Sequence, residues 1–162
     1  MKSVSRMDRW HAQYEVLLLS ALLLPCAWIA LRRTPLPEIR SRLAARMPRR
    51  ASSSRLSATQ IGRIVSAVGR RLPGIGTCLT HGLVTEALLR REHHEAQLVV
   101  GVERSGDSAL RAHAWVVSDG RVVAGAAVDL ERFTPLAIGT DALVLRPFAA
   151  GNPRSDAVTE VS

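Results

Sequence analysis

The hydrophobic residues of the first ninety positions recur at helical spacing and predict four helices. The clearest stripe has isoleucine or valine at i, i+3, i+4 and i+7 between Ile61 and Val68. Ser57 and Thr77 each precede such a segment and are suitable N-caps. The predicted helices cover residues 8–31, 38–47, 57–71 and 78–91.

The pattern then changes to short runs rich in valine, as expected for strands. Asp119-Gly120 is a strong signal for a two-residue hairpin turn between two of these runs. Residues 133–136 are interpreted as a short link. The predicted strands cover residues 97–103, 110–118, 121–127 and 142–145. Helices followed by a small antiparallel sheet predict an α+β fold.

The chain divides by composition near a Pro-, Arg- and Ser-rich linker at residues 48–54. We therefore expect an apolar and basic helical extension over 1–54, a globular domain over 55–150 and a disordered tail over 151–162. Three interpretations of the apolar helix at 8–31 remain open. It packs on the domain or on a partner, it associates with a membrane, or it is a cleaved signal peptide.

The net charge of +8 belongs to the N-terminal third of the chain. Up to Leu56 there are 11 Lys/Arg and 3 Asp/Glu, whereas 11 basic residues meet 11 acidic ones in the remainder. Nothing resembling a nucleic-acid module accompanies the basic segment, so no nucleic-acid partner is predicted. Cys26 and Cys78 suggest neither a disulfide framework nor a zinc site, which favours a reducing, cytoplasmic location.

Cys78 and His113 are the candidate catalytic residues. Thr77 as N-cap puts Cys78 in the first helical turn, where unpaired N–H groups and the helix dipole favour a thiolate. His113 lies on the second predicted strand, with Trp115 on the same face. Taken alone, either residue is more often structural. A thiolate beside a histidine is the minimum machinery for attack on an acyl carbon.

The combination of these segments resembles a known family. Cys78-Leu79, the run from Leu88 to Arg91, Gly101-Val102 and Ala112-His113-Ala114-Trp115-Val116 are similar to the B protein of lasso-peptide biosynthesis. The similarity covers roughly residues 58–138, and the apolar N-terminal helices and short length look like the stand-alone leader-peptidase half of split B proteins, which resembles the C-terminal domain of microcin-processing proteins. It implies a transglutaminase/papain-like cysteine peptidase core behind an N-terminal helical extension.

The resemblance implies an activity and its partners. Cys78 would be the nucleophile and His113 the general base in removal of a leader peptide through a thioester, with no metal and no cofactor. Partners would be the precursor peptide, a separate leader-recognition protein and the lasso cyclase, in antibiotic biosynthesis in the cytoplasm. Membrane association through residues 8–31 stays open. The alternative is a catalytically idle scaffold subunit of the same machinery.

The third catalytic position departs from the family. An aspartate is expected about twelve residues after the histidine, to hold its tautomer, and Gly125 stands there. A regular hairpin places His113 opposite Ala126, so Asp119 would lie about 20 Å away along the strand. Asp129 would reach the histidine only if the chain bends back. Asp129, a backbone carbonyl, a side-chain amide and a partner's residue therefore remain candidates.

The other histidines carry weaker expectations. His81 lies one helical turn from Cys78 and could approach it. His93 and His94 are adjacent, so their side chains point apart and would bind a common metal poorly. We interpret them as a solvated corner, at a position where the family usually has a glycine.

Overall fold

Four helices precede a four-stranded antiparallel sheet in the computed structural model, which describes residues 6–50, 56–105, 109–126 and 129–136. The helices are α1 (Arg6–Leu31), α2 (Leu36–Arg46), α3 (Ala58–Gly69) and α4 (Cys78–Arg91). The strands are β1 (Gln97–Ser105), β2 (Ala109–Ser118), β3 (Arg121–Ala124) and β4 (Thr134–Leu136), with a short 3-10 helix at Leu130–Arg132. The predicted α+β class is confirmed.

The sheet has the strand order β3-β2-β1-β4. β1 and β2 pair along their whole length, from Gln97 opposite Val117 to Ser105 opposite Ala109. The turn between β2 and β3 has φ of 49° at Asp119 and 71° at Gly120. Both central residues are thus left-handed, as in the hairpin turn that Asp-Gly favours. This turn was correctly predicted.

Two predictions about the sheet were wrong. Residues 133–136 are more than a link, because Thr134–Leu136 pairs with β1 as an edge strand. The run is three residues long and contains Pro135, so it lacks the alternation of apolar and polar residues that predicts a strand. Proline is nevertheless tolerated at a sheet edge. The predicted strand at 142–145 and the tail at 151–162 lie outside the described residues.

The second error concerns the register of the β2–β3 hairpin. Val117 pairs with Val122 as a two-residue turn requires, but Val116 pairs with Ala124 because a bulge intervenes. The register beyond this bulge is shifted by one residue, so the expected position of His113 opposite Ala126 was wrong. A bulge of this kind adds one residue to one strand and increases the local twist.

α3 and α4 cover one face of the sheet, and two glycines allow their close approach. A Cβ atom on Gly62 would lie 2.0 Å from the carbonyl oxygen of Val123, and one on Gly82 would lie 2.5 Å from Leu98 Cδ1. The side chains buried between the helices and the sheet include Ile61, Val65, Leu83, Leu88, Leu98, Ala114 and Val116.

α1 packs on this domain, as one of the three interpretations expected. The helix continues through Pro25 and buries one stripe, composed of Ala12, Val16, Ser20, Leu24 and Ala27. Ion pairs join it to α4, since the Glu15 carboxylate binds Arg91 at 2.7 Å and also binds Arg50, which pairs with buried Glu92 at 3.0 Å. The division of the chain at residue 54 stays a prediction.

Opposed effects set the pKa of the Glu15 carboxyl. Burial alone would raise it, but the hydrogen bond from Arg91 and the positive charges of Arg50 and Arg91 lower the pKa overall. The ionised carboxylate is thus the form that holds α1 against α4.

Candidate active site

Cys78 is the first residue of α4, as its sequence context predicts. Thr77 is extended, and its Oγ1 accepts a hydrogen bond of 3.2 Å from the N–H of Thr80. The N–H groups of Cys78 and Leu79 have no helical carbonyl four residues before them and point beyond the end of the helix. The half-buried thiol therefore lies beside backbone donors and the positive end of the helix dipole.

His81 packs on the loop that leads to Cys78. Cβ atoms on Gly69 and Gly76 would lie 1.8 Å and 2.8 Å from its Nε2, so only glycine leaves room for the ring at these two positions. Burial lowers the pKa of His81, and the positive charge of Arg70 lowers it further. The described contacts of His81 are thus with the end of α3 at Gly69 and with the loop before Cys78 at Gly76.

The ring of His113 is held on three sides. Its Nε2 lies 2.8 Å from the carbonyl oxygen of Gly125. Trp115 stacks at 6.2 Å between ring centroids with the planes 20° apart, and Phe133 lies at 5.5 Å with a 44° tilt. A carbonyl oxygen can only accept, so this contact requires the proton on Nε2 and leaves Nδ1 as the basic nitrogen of the neutral ring.

Gly125 accounts for the missing aspartate. Its φ is 73°, and a Cβ atom there would lie 2.4 Å from the carbonyl oxygen of Ala114 and 2.9 Å from Trp115 Cα. No side chain fits at this position without displacing β2. The backbone carbonyl of Gly125 instead binds the ring nitrogen, which is one of the candidates that the sequence left open.

Asp129 is not brought to His113 by any described contact. It precedes the 3-10 helix, its side chain makes no capping hydrogen bond, and it is exposed to solvent. Asp119 lies in the hairpin turn, where it is a turn-forming residue. The assignment of Asp129 to the site stays a prediction.

Cys78 and His113 lie on two elements that pack together, α4 and β2. Gly82, one turn after Cys78, approaches Ala114 and Val116 on β2. Side chains alternate along a strand, so His113 projects from the face opposite to the one that α4 covers. No hydrogen bond between Cys78 Sγ and the ring occurs in the described part of the structure.

The side chain of His113 meets the chain that follows β3. β3 is paired with β2 only as far as Ala124, and His113 Nε2 binds the carbonyl oxygen of Gly125, the next residue. The described contacts of the ring are with Gly125, Trp115 and Phe133, and none joins it to Cys78.

Sequence reasoning missed Phe133, and with it the ion pairs that fix its segment. Buried Glu103 on β1 pairs with Arg132 at 2.7 Å and with Arg111 at 3.6 Å. The 3-10 helix is thereby tied to the sheet, which sets Phe133 against His113. No local pattern marks this contact, because it depends on β4 pairing with β1.

Comparison with known proteins identifies the family of the chain. The profile of the transglutaminase-like superfamily matches residues 20–138, which is most of the chain. Neither a curated protein nor a solved structure matches the chain significantly. This superfamily contains cysteine peptidases and transglutaminases, whose fold the sequence predicted here. The chain therefore belongs to the transglutaminase-like superfamily.

Proposed function

We propose that the protein is a cysteine peptidase that removes the leader peptide from a lasso-peptide precursor, with Cys78 as nucleophile and His113 as general base. The observation that carries the proposal is the hydrogen bond from His113 to Gly125 O, which orients the imidazole and leaves Nδ1 as its basic nitrogen, while Cys78 begins α4 beside free backbone donors. The superfamily supports acyl-transfer chemistry, and the Cys-Leu and Ala-His-Ala-Trp-Val segments support the substrate class.

The proposed catalytic steps follow from the tautomer of His113. Nδ1 of His113 takes the proton of Cys78, and the thiolate attacks the carbonyl carbon at the junction of leader and core. The N–H of Cys78 donates to the oxyanion that forms. Collapse of the tetrahedral intermediate breaks the peptide C–N bond between leader and core, and Nδ1–H protonates the leaving amine of the core peptide. Water, deprotonated by Nδ1, then hydrolyses the thioester and releases the leader as a carboxylate with the thiol restored.

This mechanism includes a closing movement. His113 projects from the face opposite to α4 and makes no hydrogen bond with Cys78 in the described structure, so the proposal requires a conformational change that brings the imidazole to Sγ. Binding of the precursor, or of its recognition protein, supplies that change in the proposal.

A second candidate function rests on the same observation. Among the described residues no carboxylate binds His113, and no hydrogen bond joins His113 to Cys78. A chain with this site could serve as a scaffold subunit that binds the precursor without cutting it. The two hypotheses differ in whether Cys78 is activated by His113.

Thiol labelling distinguishes them. We expect iodoacetamide to modify Cys78 near pH 7 about tenfold faster than Cys26, since a free thiol is only a few per cent ionised there. Cys26 is an exposed thiol on α1 and provides the internal control. His113→Ala should slow the modification of Cys78 and leave that of Cys26 unchanged. An unchanged ratio of the two rates, with the recognition protein present as well as absent, would favour the scaffold.

Cleavage of a lasso precursor, followed by mass spectrometry with the recognition protein present, tests the activity directly. Cys78→Ala should abolish release of the leader while the matched Cys26→Ala variant retains it. Precursor binding without cleavage by the wild-type protein would establish the scaffold instead.

A further inference from the structure

α1 carries a second apolar face that the domain leaves uncovered. Its residues are between 46% and 70% exposed, and they lie on the side of the helix opposite to the buried stripe. We call this face the outer stripe; it consists of Met7, Trp10, Tyr14, Leu18, Leu22 and Ile29. It runs for about 33 Å at 1.5 Å per residue. An apolar surface of this length, interrupted by exposed His11, indicates a binding surface.

Exposed cations lie at both ends of the outer stripe. Arg6 and Arg9 are exposed at the start of α1, and Arg32 and Arg33 are exposed directly after its end. Of the two acidic residues of α1, Asp8 is half-buried, and the Glu15 carboxylate is bound to Arg50 and Arg91. The exposed ionised side chains at both ends of the stripe are therefore cations, with aromatic rings among the apolar residues.

The inner side of α1 determines how the helix meets its partner. By length and composition α1 could cross a bilayer, a test that buried core helices and signal sequences also pass. Val16 and Leu24 are buried on the domain, and the ion pair between Glu15 and Arg91 also joins the helix to it. A helix bound along one side to a domain with an ionic interface presents only its other side, so it can lie on a surface without being surrounded by lipid.

We propose that the outer stripe is a docking surface for an anionic phospholipid bilayer, on which α1 lies parallel to the membrane plane. Apolar and aromatic side chains enter the acyl boundary while arginines at both ends meet phosphate headgroups, as in interfacial amphipathic helices. The inference is independent of the proposed peptidase activity.

A second copy of the chain fits the stripe less well. Two outer stripes paired antiparallel about a two-fold axis would bring Arg6 and Arg9 of one copy next to Arg32 and Arg33 of the other. Like charges facing each other oppose that association, whereas an anionic headgroup layer neutralises both ends.

Co-sedimentation of the full chain with phospholipid vesicles tests the proposal. The protein should pellet with vesicles of equal phosphatidylglycerol and phosphatidylcholine, and much less with phosphatidylcholine alone. The double variant Leu18→Gln/Leu22→Gln should reduce binding at least tenfold, because two leucines no longer enter hydrocarbon. Leu110→Gln, at an equally exposed leucine on β2, is the matched control and should bind as the wild type does.

The arginines are tested in the same assay. Arg32→Gln/Arg33→Gln should weaken binding about 25-fold, at about fivefold for each arginine near an anionic surface. The control Arg63→Gln/Arg121→Gln removes two exposed arginines from α3 and the hairpin and should leave binding close to that of the wild type. All variants change exposed residues, and unaltered circular dichroism melts would show that they fold.

A second measurement reports the depth of the helix. Brominated acyl chains should quench tryptophan fluorescence in the wild type, and Trp10→Phe should remove most of that quenching. Failure to bind anionic vesicles, or undiminished binding by Leu18→Gln/Leu22→Gln, would overturn the proposal. So would a lipid-free dimer in sedimentation velocity that the same double variant dissociates, since the stripe would then be an interface between copies.

Discussion

Gly125 should not accept the aspartate that the family has at its position. We consider Gly125→Ala and Gly125→Asp, with Gly120→Ala as the matched control. Both glycines have left-handed φ, 73° at Gly125 and 71° at Gly120, but their surroundings differ. Nothing lies within 4 Å of a Cβ atom on Gly120, whereas one on Gly125 would lie 2.4 Å from Ala114 O.

A substitution at Gly120 and one at Gly125 share one energetic cost and differ in another. A left-handed conformation costs a residue with a Cβ atom about 1 kcal/mol, which is the full effect expected at Gly120. At Gly125 the Cβ atom also overlaps backbone atoms of β2, which cannot move aside as a side chain does. Strain of this kind adds about 1–3 kcal/mol. The expected total is about 2–4 kcal/mol, or a fall in Tm of about 5–15 °C for a chain of this size.

Thermal and urea unfolding of the three variants measures the difference. Gly125→Ala and Gly125→Asp should unfold well before Gly120→Ala, and both should slow the labelling of Cys78 because the acceptor for His113 moves. A Gly125→Asp variant as stable as Gly120→Ala, or one that cleaves faster than the wild type, would refute the reasoning. The position would then accept a carboxylate, and the carbonyl would not be the group that orients His113.

Three other predictions concern stability. Arg40→Ala should cost about 1.5–3 kcal/mol in urea unfolding, because the buried Glu86 carboxylate loses its bidentate partner and keeps only Arg90 at 3.4 Å and the N–H of Leu98 at 3.2 Å. Arg42→Ala, from an exposed pair, should cost less than about 1 kcal/mol. Thr77→Ala should cost about 1 kcal/mol through loss of the N-cap. The depressed pKa of Glu15 stabilises the fold above pH 4.5, and this stabilisation is lost as pH falls through the folded pKa. Glu15→Gln should therefore be less stable than the wild type at pH 7, with the difference shrinking below pH 4.5.

Each of these has a contrary outcome. Equal losses for the two arginine variants would mean that the buried carboxylate finds another partner. A Thr77→Ala variant as stable as the wild type would mean that solvent replaces the cap. A difference between wild type and Glu15→Gln that persists unchanged at low pH would mean that packing, rather than charge, accounts for the contribution of Glu15.

The local features of the fold were determined by the sequence. Ser57 forms a capping box with Gln60 and Thr77 caps α4, so both helices begin where the caps predicted. The Asp119-Gly120 turn and the placement of Cys78 and His113 follow in the same way. These features depend on residues within about four positions of one another, where capping and side-chain periodicity act.

Only the tertiary structure decided what surrounds His113. The bulge at Val116 shifts the register by one residue, β4 brings Phe133 to the ring, and Gly125 presents its carbonyl to Nε2. Which side of α1 is buried was decided in the same way, since its apolar residues occur all round the helix and packing on α3 and α4 selected one stripe. The physical reason is that strand pairing and helix packing join residues distant along the chain, and no local pattern records which partners they choose.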